Sequence, residues 1–197
     1  MSDPETIRVY DDQAAKYAEM TDAHNQDDPH LDAFLNAIPT GGHVLDLGCG
    51  PGTSAAAMAR AGLTVTATDA SAEMVAMADQ HPGVRAHQAS FEQISGDGIY
   101  DGVWANFSLL HAPRANMPDH LSALHSALKP GGMLHIGLKT GTGEKRDAIG
   151  RLYTYYTQDE LDGLLQTAGF TPVDHAFGAG VGLDGAVADW MVVRAHA

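Results

Sequence analysis

The sequence predicts an α/β fold built on a doubly wound, mostly parallel sheet, and three observations carry that expectation. From residue 42 onward, short runs rich in β-branched residues alternate with helical stretches, the pattern of parallel strands covered on both faces. The first run breaks into a turn with glycines at 48, 50 and 52 before a helix begins. The last two runs are joined by a glycine-rich segment too short for a crossover helix, so they pair antiparallel.

The first strand, His43-Val44-Leu45-Asp46-Leu47, passes through Gly48-Cys49-Gly50-Pro51-Gly52 into an alanine-rich helix from about Thr53, which Gly62 stops. Residues 63–68 form strand two, with Asp69 at its carboxyl end and Ser71 placed to cap the next helix. Residues 84–89 and 100–105 supply strands three and four, the latter ending at Asn106. Pro118 opens a helix whose Leu121, Leu124 and Leu128 share a face, and Lys129-Pro130-Gly131-Gly132 ends it before strand five at residues 133–138. A polar stretch follows over residues 139–156. Thr157 and Glu160 then form a capping box for a helix carrying Leu161, Leu164 and Leu165, stopped by Gly169. The final strands fall near residues 170–177 and 189–194, with Gly178-Ala179-Gly180-Val181-Gly182 between them. Ahead of the sheet, helices around residues 11–20 and 30–37 read as a lid over the strand ends. The organisation expected is one domain over residues 1–197, with a helical lid at 1–40 and the core at 42–197.

The 197 residues suffice to bury a core without disulfides or structural metals, and 44% hydrophobic with 18% charged residues excludes a disordered chain. The net charge of -14 repels a phosphate backbone, so nucleic acid is not an expected partner. Cys49 is the single cysteine, which suits a reducing compartment. With no charged-then-apolar leader and no run of about 18 apolar residues, the expectation is a cytoplasmic chain with no membrane partner.

Open α/β sheets bind ligands beyond the carboxyl ends of their strands, and the chemistry-bearing residues fall there. Glycines at 48, 50 and 52 let backbone approach a ligand closely, and Asp69, about 20 residues on, is placed to accept hydrogen bonds from both hydroxyls of a ribose. The third glycine comes one residue too early for a dinucleotide fingerprint, and Pro51 stands beside it. Asp46, two residues before the first glycine, would oppose a diphosphate but suits an ammonium group. Charge therefore favours a nucleoside carrying an amino acid.

The segment Val44-Leu45-Asp46-Leu47-Gly48-Cys49-Gly50-Pro51-Gly52 resembles the first motif of the class I S-adenosylmethionine-dependent methyltransferases. Asp69 with Ser71 and Met74, Ser90-Phe91-Glu92, Tyr100-Asp101 through His111, and Leu128-Lys129-Pro130-Gly131-Gly132 extend the likeness over residues 42–139. Residues 10–17 and 157–170 are similar to small bacterial members as well. The resemblance implies the strand order 3-2-1-4-5-7-6 with strand 7 antiparallel, and S-adenosyl-L-methionine as cofactor. It implies that Gly48, Cys49 and Gly50 lie near the methionyl part, Asp69 at the ribose, and Ala70 and Met74 beside the adenine. Ser90 and Phe91 would complete the adenine pocket, with Ser90 standing where members often carry an aspartate. Asn106, Phe107 and Ser108 would line the sulfonium end.

Methyl transfer from a sulfonium needs chiefly that donor and nucleophile be held in line. A base helps only where the acceptor must lose a proton, and His111 is the candidate for that role, against the plainer reading that it packs at its loop. Tyr10 and Tyr17, seven residues apart, share a helical face and could reach the cofactor or pack the lid. Residues 139–151 hold Lys139, Lys145, Arg146 and Arg151, four of the eleven basic residues, and Tyr153, Tyr155 and Tyr156 follow. Lys139, Arg151, Tyr153 and Tyr156 are accordingly the candidates for holding a small, anionic acceptor, against the alternative of a solvated loop over packed tyrosines. His24, Asp27, Asp28 and His30 have ligand-type side chains without metal spacing and read as a solvated hinge, so no metal is expected. Three other functions stay open at this point: a non-catalytic protein that binds the same cofactor, an enzyme that uses it to transfer another group such as aminopropyl, and a nicotinamide-dependent oxidoreductase.

Overall fold

The computed structural model describes residues 3–22 and 28–197. Its helices are α1 (Pro4–Asp12), α2 (Ala14–Asp22), α3 (Pro29–Ala37), α4 (Thr53–Arg60), α5 (Ala72–Ala78), α6 (Met117–Ala127) and α7 (Gln158–Thr167). The strands are β1 (His43–Leu47), β2 (Thr64–Asp69), β3 (Val84–Gln88), β4 (Tyr100–Asn106), β5 (Leu128–Lys139), β6 (Glu144–Arg146), β7 (Leu152–Thr154), β8 (Thr171–Val181) and β9 (Val187–His196).

Seven strands form one sheet in the order β3-β2-β1-β4-β5-β9-β8, the expected arrangement once β6 and β7 are set apart as a hairpin of their own. The first five run parallel, and β9 enters antiparallel between β5 and β8. Side chains alternate across the sheet and fill two layers. Leu45, Leu47, Val103, Leu134 and Ile136 pack with Leu121 and Leu124 of α6 and Leu161 and Leu165 of α7. Val44, Val65, Trp104 and Met133 pack on the other face against α3, α4 and α5. Each buried Leu or Val contributes about 1.5–3 kcal/mol, which is what holds the layers together.

The local signals for caps act as the sequence indicates. Ser71 accepts from the Met74 amide at the start of α5, and Thr157 with Glu160 closes a capping box on α7. Four segments depart from expectation. The helix expected at residues 11–20 is two helices that begin earlier, because Asp3 accepts from the Thr6 amide and Pro4 sets the first turn; the break comes at Gln13. Leu128 belongs to β5, not to the preceding helix: it pairs with Tyr100, and Lys129 bridges Asp101 at 2.8 Å. The polar stretch at 139–156 contains the β6–β7 hairpin. The glycine-rich segment at 178–182 continues β8 through Val181, since Gly178 lets the Trp190 ring lie across it.

The N-terminal segment divides in two. Leu31 and Phe34 of α3, with Ile38 just beyond it, are buried in the sheet's core layer, where a Cβ on Gly102 would sit 2.4 Å from Ile38 Cδ1. α1 and α2 present side chains to the strand ends, Tyr10 and Tyr17 among them. The expected hinge residues His24 and Asp27 lie outside the described residues, while Asp28 caps α3. Among the described residues, no helix is long and apolar enough to cross a membrane.

Candidate active site

Two adjoining clefts open at the carboxyl ends of the strands, of about 630 and 1350 Å³ with their mouths included, and both are lined by Tyr10, Tyr17, Gly48, Gly50, Asn106 and Phe107. The turn after β1 makes their floor. Gly48, Gly50 and Gly52 have φ of 71°, 53° and 85°, a region that favours glycine, and a Cβ on Gly48 would stand 2.3 Å from the Ser108 Cβ.

The amides of this turn are used internally. Gly48 and Cys49 both donate to the Thr68 carbonyl, at 2.7 and 2.9 Å, and Gly52 donates to the Cys49 carbonyl. Gly50 donates to Asp69 Oδ2 at 2.9 Å, and Pro51 has no N–H. A diphosphate cradle needs free amides, and these four are taken. Asp69 also accepts from the Ser71 amide at 2.9 Å, so both carboxylate oxygens are fixed in place while each keeps acceptor capacity. Burial raises its pKa above the ordinary carboxylate range.

Asp46, 2% exposed at the end of β1, has no hydrogen-bond partner on Oδ2. Burial, then the Asp69 charge, pushes its carboxyl up to about 8 against one opposing bond from the Ala55 amide. A buried carboxyl with one oxygen unpartnered calls for a cationic neighbour, and Asp46 lines the larger cleft. The turn after β4 is the other wall. Phe107 is the one non-glycine residue with positive φ, at 54°, among those described, and this left-handed kink carries its ring into the clefts. Asn106 Oδ1 receives the Nε2 proton of buried His135 at 3.0 Å, and His135 stacks on Trp104 at 3.6 Å.

A buried network ties α1 to the β6–β7 hairpin. His111 Nδ1 lies 2.6 Å from the Leu152 carbonyl, which only accepts, so Nδ1 carries the proton and Nε2 accepts from the Tyr10 hydroxyl at 2.8 Å. Arg151 Nη1 donates to that hydroxyl at 2.9 Å, while Arg151 Nε donates to Asp147 at 2.9 Å. Burial holds the His111 pKa down to about 3 and raises those of Tyr10 and Tyr17, whose rings meet edge to face at 5.2 Å.

Comparison with known proteins agrees with this geometry. Residues 44–132 match the methyltransferase domain family. The chain is 25% identical to the Burkholderia thailandensis 1,6-didemethyltoxoflavin-N1-methyltransferase, a structure with bound S-adenosylhomocysteine, at a TM-score of 0.72 over 100% of this chain and 91% of that one. Residues 44–132 thus resemble a methyltransferase domain, and the whole chain shares the fold of that S-adenosylhomocysteine-bound enzyme. Over 100 residues this chain is 40% identical to trans-aconitate 2-methyltransferase of Delftia acidovorans, covering 48% of this chain and 37% of that protein. Over 143 residues it is 34% identical to a ubiquinone biosynthesis O-methyltransferase of Sodalis glossinidius, covering 66% and 57%. The chain thus spans about half the length of the curated relatives it matches.

The fold brings most of the sequence-predicted site residues together. Tyr10, Tyr17, Gly48, Gly50, Asp69, Ala70, Met74, Phe91, Asn106, Phe107, Ser108 and His111 line the smaller cleft. Asp46, Cys49, Lys139, Arg151 and Tyr153 line the larger. Ser90 lines neither: its amide donates to Gln93 in a short 3₁₀ turn. Tyr156 is buried beneath the Arg114 guanidinium, 4.5 Å away, and burial lifts its hydroxyl to about 12. Cys49 is buried with its thiol pKa raised, the environment of a space-filling side chain. His111 lacks a free basic nitrogen, because Tyr10 occupies Nε2. Sequence reasoning missed Trp190, Trp104 and the His135–Asn106 bond; the glycine-rich run that includes Gly178, ahead of the strand that carries Trp190, was the one available signal, and only for Trp190.

Proposed function

We propose that the protein transfers a methyl group from S-adenosylmethionine to a small, anionic acceptor in the cytoplasm. The observation that carries this reading is the turn after β1, whose amides are used internally while the adjacent Asp46 carboxyl keeps one oxygen, Oδ2, without a partner. Such a site repels a diphosphate and suits a nucleoside whose tail ends in an ammonium group. The residues fit the cofactor: Asp69 would take the ribose hydroxyls, Asp46 the ammonium, and Met74 and Phe91 the apolar flanks of the base. When bound, the cofactor supplies a methyl group already activated by its sulfonium.

What the chain must add is position, and an effective molarity of 10⁵ M or more is on the order available from it. Asn106 is oriented by His135, Phe107 is aimed by its backbone, and Tyr10 is held between His111 and Arg151. Lys139 and Arg151 place positive charge in the larger cleft, which supports an anionic acceptor. A proton leaving the acceptor toward His111 would have to pass by way of the Tyr10 hydroxyl. The unpaired Cys49 suits the reducing cytoplasm.

Calorimetry with S-adenosylmethionine and with NAD, followed by assay of S-adenosylhomocysteine formation in a metabolite extract, tests the reading. Binding of the sulfonium nucleoside alone with turnover is the expected result. Binding of NAD, or binding of the nucleoside with no acceptor methylated, would replace it with an oxidoreductase or a non-catalytic binding protein.

A further inference from the structure

At the larger cleft, which Lys139 and Trp190 line, three residues from three strands stand in a row. Lys139 on β5 is directly opposite Trp190 on β9, which is directly opposite Gly178 on β8. Opposed residues on antiparallel strands share a face, so Lys139 and Trp190 project together and Gly178 leaves the space beside them empty. A Cβ at Gly178 would lie 2.3 Å from Trp190 Cζ2; the indole therefore occupies that space. Phe107 meets the indole at 6.1 Å and 80°, giving an aromatic corner with walls nearly at right angles.

The cations of this cleft differ in what they already hold. Arg151 is engaged by Asp147 and the Tyr10 hydroxyl. Lys139 is half-buried, its Nζ rests 3.8 Å over the Tyr153 ring, and no ion pair with a carboxylate forms among the described residues. Desolvation lowers its pKa from the usual lysine value, with Arg151 and Lys145 acting in the same direction and Asp184 and Asp147 against it. Asp28 and Asp46 line the same cleft, so an acceptor with several negative charges would be repelled.

We propose that the acceptor is a planar aromatic ring bearing one acidic group, the ring seated in the Trp190–Phe107 corner and the acid paired with Lys139. The proposal rests on the transfer reading above and narrows its acceptor. A ring at the corner gains stacking and edge contacts that an aliphatic acid cannot. A charge-assisted bond to a desolvated ammonium separates an acid from its amide by about tenfold or more.

The test is calorimetry on the full chain saturated with S-adenosylhomocysteine, using 4-hydroxybenzoate, indole-3-carboxylate and quinoline-2-carboxylate, the amide of each, and trans-aconitate. At least one aromatic acid is expected to bind about tenfold tighter than its amide and than trans-aconitate. Lys139→Met should abolish the preference of acid over amide, and Lys139→Arg should restore it. Trp190→Ala should weaken acid and amide alike, with Trp190→Phe keeping most of the affinity if the alanine variant fails to fold. Equal binding of acids and amides, tighter binding of trans-aconitate, or an acid preference that survives Lys139→Met overturns the proposal while leaving the transfer reading intact. Failure of the native chain to bind S-adenosylhomocysteine overturns both.

Discussion

Acidification from pH 8 to pH 6 should weaken cofactor binding through one buried carboxyl. Asp46 titrates at about 8, chiefly because burial penalises its charged form. A cationic ammonium beside it requires that charged form, so binding must expel the proton. The ionised fraction is about one half at pH 8, 10% at pH 7 and 1% at pH 6, which predicts an affinity loss of roughly 50-fold over the two units, or about 2.3 kcal/mol. Calorimetry with S-adenosylmethionine at four pH values, repeated in buffers of different ionisation enthalpy, reads both the loss and the release of nearly one proton per ligand at pH 7. Asp46→Asn should flatten the profile. The same group acts on stability in the opposite sense. Its folded pKa lies above the ordinary carboxylate value of 3.8, so the folded chain binds more protons than the unfolded between about 4 and 8 and loses stability as pH rises through that window. Asp46→Asn should therefore stabilise the ligand-free chain at pH 9, by on the order of a few kcal/mol. A native profile that is already flat, or a slope that persists in the asparagine variant, would refute the assignment of the ammonium to Asp46.

Three further outcomes follow from the geometry. Gly48→Ala combines a left-handed backbone with a Cβ set 2.3 Å from Ser108, and should cost about 1–3 kcal/mol in chemical denaturation and abolish cofactor binding. His111 is held neutral with a pKa near 3, below its unfolded value of 6.5, so the unfolded chain takes up its proton first on acidification; stability should fall by about 2 kcal/mol from this group between pH 7 and 5, and the ring's ¹⁵N shifts should stay those of a neutral imidazole at pH 5. Arg151→Ala strands the buried Asp147 carboxylate and should destabilise the chain by about 3–5 kcal/mol, read as a lowered denaturation midpoint, whereas Lys139→Met, which leaves no carboxylate behind, should hold its midpoint.

Signals confined to a few neighbouring residues were legible in the sequence. The glycine turn, the Ser71 cap and the Thr157 box each act within a few residues, and Asp69, which also holds the Gly50 amide of the neighbouring turn, stands at the strand end its spacing indicates. Signals that depend on register were not. The meeting of Trp190 with Gly178, and of His135 with Asn106, joins residues from different strands, and no periodicity along one strand reveals its neighbour's alignment. Leu128 continues a helical spacing from Leu121 and Leu124, but its pairing with Tyr100 and the Lys129–Asp101 bridge decide for the strand. The apolar stripe of α3 predicts a buried face without saying which surface it covers.

The doubly accepting Thr68 carbonyl has a consequence for how such a protein changes over time. Part of the selection against a diphosphate, the two amides that Thr68 holds, lies in main-chain atoms, which a side-chain substitution away from the turn's glycines leaves in place. Side chains around the larger cleft are free to drift toward new acceptors while donor choice is inherited unaltered, so descendants of this fold would diversify in what they modify long before they changed what they modify it with.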